Sequence, residues 1–151
     1  MKPIQLNYEK SNRILEIKDL KFSTYTKMLY NKLRNKSSIN QFDLQLLTDN
    51  IIKDMKIPFS IPVRFKNTQP HSTNNGKLKS KVMGTYSTLD TIIIYKYTAI
   101  RKKQITPKTA ISTLLHEINH YADYKILNLI KSIHSKGFYS RLRQIENLLK
   151  D

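Results

Sequence analysis

An α+β fold with a small antiparallel or mixed sheet is what the sequence predicts, and three observations predict it. Residues 1 to 58 carry apolar side chains at helical spacing, residues 81 to 97 form two β-rich runs, and "TPKTAISTLLHEINHYADYKIL" reads as one long helix opened by a capping signal. The expected layout is a single domain over 1–151, with a helical part at about 1–58 and a sheet with a basic loop at about 59–97. A helix at about 107–128 and a last helix at about 138–150 follow. A chain of 151 residues is long enough to bury a core and too short to add a sizeable second module.

Each element has its own reason. Between residues 13 and 35, Leu20, Tyr25, Met28, Leu29 and Leu33 recur at roughly helical intervals, with a short strand as the alternative for the first part. In "SSINQFDLQLLTDNIIKDMKIP", Phe42, Leu46, Ile51, Ile52 and Met55 make a broad apolar face that belongs in the core, and Pro58 marks the end of that helix. "SIPVRFK" alternates as a strand does, while "NTQPHSTNNGKLKSK" reads as a mobile polar loop with a solvated His71. In "KVMGTYSTLDTIIIYKY" two runs flank Ser87 to Asp90 as a hairpin. The continuous Ile92, Ile93 and Ile94 fit a strand buried on both faces, and the run containing Gly84 fits an edge strand. Thr106 as N-cap and Pro107 at the first helical position start the next helix, whose burying face is Ala110, Leu114, Ile118, Tyr121 and Ala122. Phe138, Leu142, Ile145 and Leu149 give the last helix an apolar stripe.

Composition narrows the chemistry. Without cysteine there are no disulfides, no Cys-based zinc ribbon and no thiol nucleophile, so a metal must be held by His, Asp or Glu. The start, "MKPIQLNYEKSNRILEIK", has no continuous hydrophobic region, so neither a signal peptide nor a membrane span is expected; an intracellular monomer of the cytoplasm, nucleus or a virion is. Lys and Arg number 27 against 11 Asp and Glu, a formal charge of +16 that favours polyanionic partners. The basic residues are dispersed, with local groups at Lys77, Lys79 and Lys81 and at Arg101, Lys102 and Lys103, a pattern that suits contact with DNA or RNA phosphates more than base reading.

"HEINH", residues 116 to 120, carries the most specific signal. On a helix His116 and His120 lie one above the other and both imidazoles reach one ion, while Glu117 stands about 100° around the helix, where it meets a water in place of the metal. A catalytic zinc site takes a third protein ligand and keeps a fourth position open. His134, fourteen residues after His120, and Glu146 on the last helix are the two downstream candidates. Asp123, three residues past His120, is expected either to hydrogen-bond towards the site or to face solvent, and Tyr121, Tyr124 and Tyr139 lie near it in sequence.

The HEINH helix followed by "IHSKGFYSRLRQIENLL" resembles the SprT-like (Spartan-type) zinc metalloprotease family, closely over 110–149 and loosely over the hairpin at 81–97. The resemblance implies a zincin-like fold, one Zn2+ held by His116, His120 and His134, Glu117 as general base and Phe138 as an apolar anchor of the last helix. It also implies action on DNA-bound or DNA-crosslinked proteins. The chain departs from the family in placing Ser135 and Lys136 between the third His and Gly137, and in lacking a Cys zinc ribbon.

The functional expectation is therefore a zinc-dependent endopeptidase with protein substrates, extended along the edge strand near Met83 to Ser87, and with DNA as partner. The alternatives are a small zincin peptidase unconnected with nucleic acid and a non-catalytic nucleic-acid-binding protein with a structural metal. Glu117→Gln separates the last from the first two, because it would be silent in a binding protein.

Overall fold

Local capping chemistry decides where the helices begin. In the computed structural model, which describes residues 3–67, 71–74, 77–81, 84–87, 91–98, 102–129 and 134–150, the first helix, α1, is Pro3–Arg13. Ser23 caps α2 (Thr24–Arg34) by accepting from the Thr26 N–H, and Asn40 and Asp43 form a reciprocal capping box at the start of α3 (Gln41–Asp54). Helix α3 ends four residues before Pro58, where Lys56 turns left-handed (φ 60°) and the Ile57 N–H returns to the Ile52 carbonyl. Thr106 and Pro107 start α4 (Pro107–Lys125) as the sequence predicts.

The strands are β1 (Val63–Lys66), β2 (His71–Asn74), β3 (Lys77–Lys81), β4 (Gly84–Ser87) and β5 (Thr91–Tyr95). They form a mixed three-stranded sheet of order β1-β5-β4, with β1 parallel and β4 antiparallel to β5. Strand β5 is central, with Ile92 and Ile94 buried on one face; on the other, Ile93 is only half-buried, so the expected burial of all three isoleucines does not hold, while the Gly84 strand is an edge among the described strands, as expected. Gly84 lets β4 approach α4: a Cβ there would stand 2.6 Å from Thr113 Cγ2. The other edge is closed differently. Gln45 Oε1 accepts from the Val63 N–H at 2.8 Å and Gln41 Oε1 from the Phe65 N–H at 2.9 Å, so α3 occupies the outer side of β1.

Helix α4 is the hub, touching β4, β5, α2, α3 and the last helix, α5 (Lys136–Lys150), while α1 lies on α5. The expected inner face of α4, Ala110, Leu114, Ile118, Tyr121 and Ala122, is fully buried, and so are Phe138, Ile145 and Leu149 of α5.

Three expectations need correction. The polar stretch after β1 is an antiparallel pair, β2 with β3, and not only a loop; its turn residues and side chains, His71 included, lie outside the described residues. Residues 13–35 are not one element: α1 ends at Arg13, and the connection that follows buries Ile17, Leu20 and Phe22 before α2 begins, leaving Tyr25 and Met28 exposed. Phe42 is not core. It is 72% exposed, Leu46 is half-buried, and the inward face of α3 is Leu44, Leu47, Ile51 and Ile52. The capping box fixes where the helix starts, and the bonds of Gln41 and Gln45 to β1 hold it with Leu44 and Leu47 inward.

Candidate metal centre

The three histidines named from sequence meet at one point. His116 and His120, one turn apart on α4, bring their Nε2 atoms to 3.2 Å, and His134, just before α5, reaches both at 3.0 Å. An ion with metal–nitrogen bonds of about 2.0–2.1 Å in tetrahedral geometry holds its nitrogens about 3.3 Å apart, so this triangle needs only a slight opening to take one. Three imidazoles suit a first-row divalent ion, and the group can hold a metal. His116 and His120 are half-buried and His134 is exposed, which leaves one side open to solvent and to a further ligand.

Phe138 forms the floor. Its ring stacks on His120 at 4.4 Å between centroids and meets His116 edge-on at 4.9 Å and His134 at 5.3 Å. The anchor role implied by the resemblance is thus joined by direct contact with every imidazole. Burial lowers the pKa of His116, with the neighbouring His134 adding to the effect. It lowers His120 to about 3, with His116 and His134 as the further causes. Both rings are therefore neutral near pH 7, the form that binds a metal. Glu117 is 6% exposed, and burial raises its carboxyl to about 7.

Glu146, the alternative third ligand, lies elsewhere. Its charge acts on Tyr30 of α2, and it is not among the converging donors. Of the three tyrosines, Tyr121 is buried, Tyr124 lies beside Lys125 near the end of α4, and Tyr139 is on the rim, 6.0 Å from His134 and 6.5 Å from His116 between ring centroids. Lys102 and Lys103 are exposed in the turn before α4, whereas Arg101 and the side chains of Lys77, Lys79 and Lys81 lie outside the described residues.

Asp123 does not face solvent. It is fully buried and pairs with both Nε and Nη2 of Arg141, a residue the sequence reading passed over. A signal was present: Arg141 falls three residues after Phe138 and four before Ile145, on the apolar stripe of α5, where a charge demands a partner. No family model, curated protein or solved structure matches the chain. Among the described residues no helix is long and apolar enough to cross a membrane.

Proposed function

We propose that the chain is a zinc-dependent endopeptidase of the zincin-like type, acting on proteins bound or crosslinked to DNA. One observation carries the reading: three converging ring nitrogens, two of them on the helix that also holds the buried carboxylate of Glu117 next to His116. His116, His120 and His134 would hold the ion, which when bound supplies Lewis acidity towards a peptide carbonyl and towards water. Glu117 takes the proton from the attacking water as its oxygen bonds the carbonyl carbon. The same carboxyl then delivers that proton to the amine that leaves as the C–N bond breaks.

An extended peptide fits better than a compact substrate. With α3 glutamines on the outer side of β1, the edge of the three-stranded sheet that no described strand occupies is β4, and β4 packs against α4 near Thr113, one turn before His116. A substrate strand added there would be held mainly through its backbone, giving loose sequence preference. The formal charge of +16, with Lys102 and Lys103 exposed, supports binding to nucleic-acid phosphates, which would concentrate the enzyme on proteins sharing the same polyanion.

The test is cleavage of a DNA-binding protein by the zinc-loaded chain with and without single-stranded DNA. Cleavage should rise with DNA and fall by about 10²–10⁴-fold in Glu117→Gln, the range set by loss of a general acid–base group. Equal cleavage without DNA would remove the nucleic-acid link. No cleavage by a chain that binds both zinc and DNA would remove the peptidase.

A further inference from the structure

Arg141 is fully buried, and its five N–H donors all find acceptors. Nε and Nη2 hold the two oxygens of Asp123 at 2.9 and 2.8 Å. The second Nη2 hydrogen reaches Ser11 Oγ at 2.9 Å, and the Nη1 hydrogens reach the carbonyls of Ser11 and Ile14 at 2.8 and 2.5 Å. Ser11 Oγ lies 2.8 Å from Ser135 Oγ, which accepts from the Phe138 N–H at 3.1 Å and thereby caps α5.

The ends of this chain of bonds are informative. Asp123 stands three residues after His120, and Ser135 is the residue that follows His134. The network therefore joins the two segments that carry the imidazoles, and it does so through the turn that ends α1. That turn comes unusually close: the Gly137 N–H donates to Asn12 Oδ1 at 3.1 Å, and a Cβ on Gly137 would overlap the Ser11 carbonyl oxygen. His134 itself is exposed, so side-chain burial does little to fix its ring, and the backbone that carries it has to be held from below.

We propose that the turn ending α1 is part of the metal centre, with Ser11 as a positioning residue that fixes, through Ser135 and Arg141, where His134 meets His116 and His120. The inference rests on reading the three histidines as a metal site. A buried ion pair contributes little net stability compared with well-packed apolar groups, so placement is what such a network has to offer. Gln144 provides the contrast. Its amide bonds the Ile17 N–H at 2.7 Å and the Ile17 carbonyl at 2.9 Å, tying the same amino-terminal segment to α5 but ten residues beyond His134.

Zinc affinity by chelator competition and the visible spectrum of bound cobalt(II), both on the full chain, separate placement from stability. Ser11→Ala should weaken zinc binding by about 10–100-fold, as loss of a group that orients a ligand does, and should shift the cobalt bands. Asn12→Ala, a milder change that removes the bond to Gly137, should act in the same direction and stands in if Ser11→Ala does not fold. Gln144→Leu should lower the thermal midpoint and leave both metal readouts unchanged. Unaltered affinity and spectrum in Ser11→Ala and Asn12→Ala, or equal weakening in all three variants, would overturn the proposal. An unaltered chain that binds neither zinc nor cobalt would instead overturn the metal reading on which it rests.

Discussion

Two polar clusters share helix α4, with Asp123 about one turn beyond His120, and are built in opposite ways. At Arg141 every donor is matched within the protein, the groups are buried on all sides, and both charges lie at 0% side-chain exposure. At the histidines the three Nε2 atoms meet only one another among the described residues, and one ring is open to solvent. A saturated cluster has nothing left to bind and can only hold the chain. A convergent, unsaturated one is a place for something the chain does not supply.

The contrast breaks first at Arg141. Replacing it with Ala removes both guanidinium bonds to the buried Asp123 and the donors to the Ser11 and Ile14 carbonyls, and should cost about 3–5 kcal/mol in urea unfolding; the double change Arg141→Met, Asp123→Leu should cost clearly less, because the buried carboxylate leaves together with its guanidinium. Gly137→Ala comes next. Forcing a methyl group against the Ser11 carbonyl should cost about 1–3 kcal/mol by the same assay, the range for overpacking a filled site.

His134→Ala sharpens the comparison from the other side. The exposed ring should be lost at a cost within about 0.5 kcal/mol in the metal-free chain. The unaltered protein should gain about 2.7 kcal/mol at a zinc concentration a hundredfold above its Kd, and the variant should not gain it, as scanning calorimetry with and without zinc would register. Smallest of all is Phe42→Ser, expected to shift stability by about 0.5 kcal/mol or less, whereas Leu44→Ala on the inner face of the same helix should cost about 2–5 kcal/mol.

Those last two variants mark what was legible in the sequence. Helix α3 is apolar around much of its circumference, so periodicity identified a helix but could not tell Phe42 and Leu46 from Leu44 and Leu47; the choice is tertiary, made where Gln41 and Gln45 bond β1. His116, Glu117 and His120 were readable because their geometry is local to one helix whose start was signalled by Thr106 and Pro107. The place of His134 depends on a chain that leaves α4 and returns, so residue type alone left Glu146 as a rival. The Arg141 network was missed because its partners are common residues up to 130 positions apart, and no local spacing relates Ser11 to Arg141. In the sheet, two β-rich runs on either side of a turn segment marked the pairing of β4 with β5, but the parallel pairing of β1 with β5 is a tertiary choice.

That distance has a meaning in time. During synthesis the HEINH helix leaves the ribosome before Ser135 and Arg141 do, and the turn that must receive them leaves earlier still. A growing chain thus displays two histidines on a helix and an unfilled berth beside α1 before the third histidine can be seated, which waits until α5 has emerged and packed back against α1.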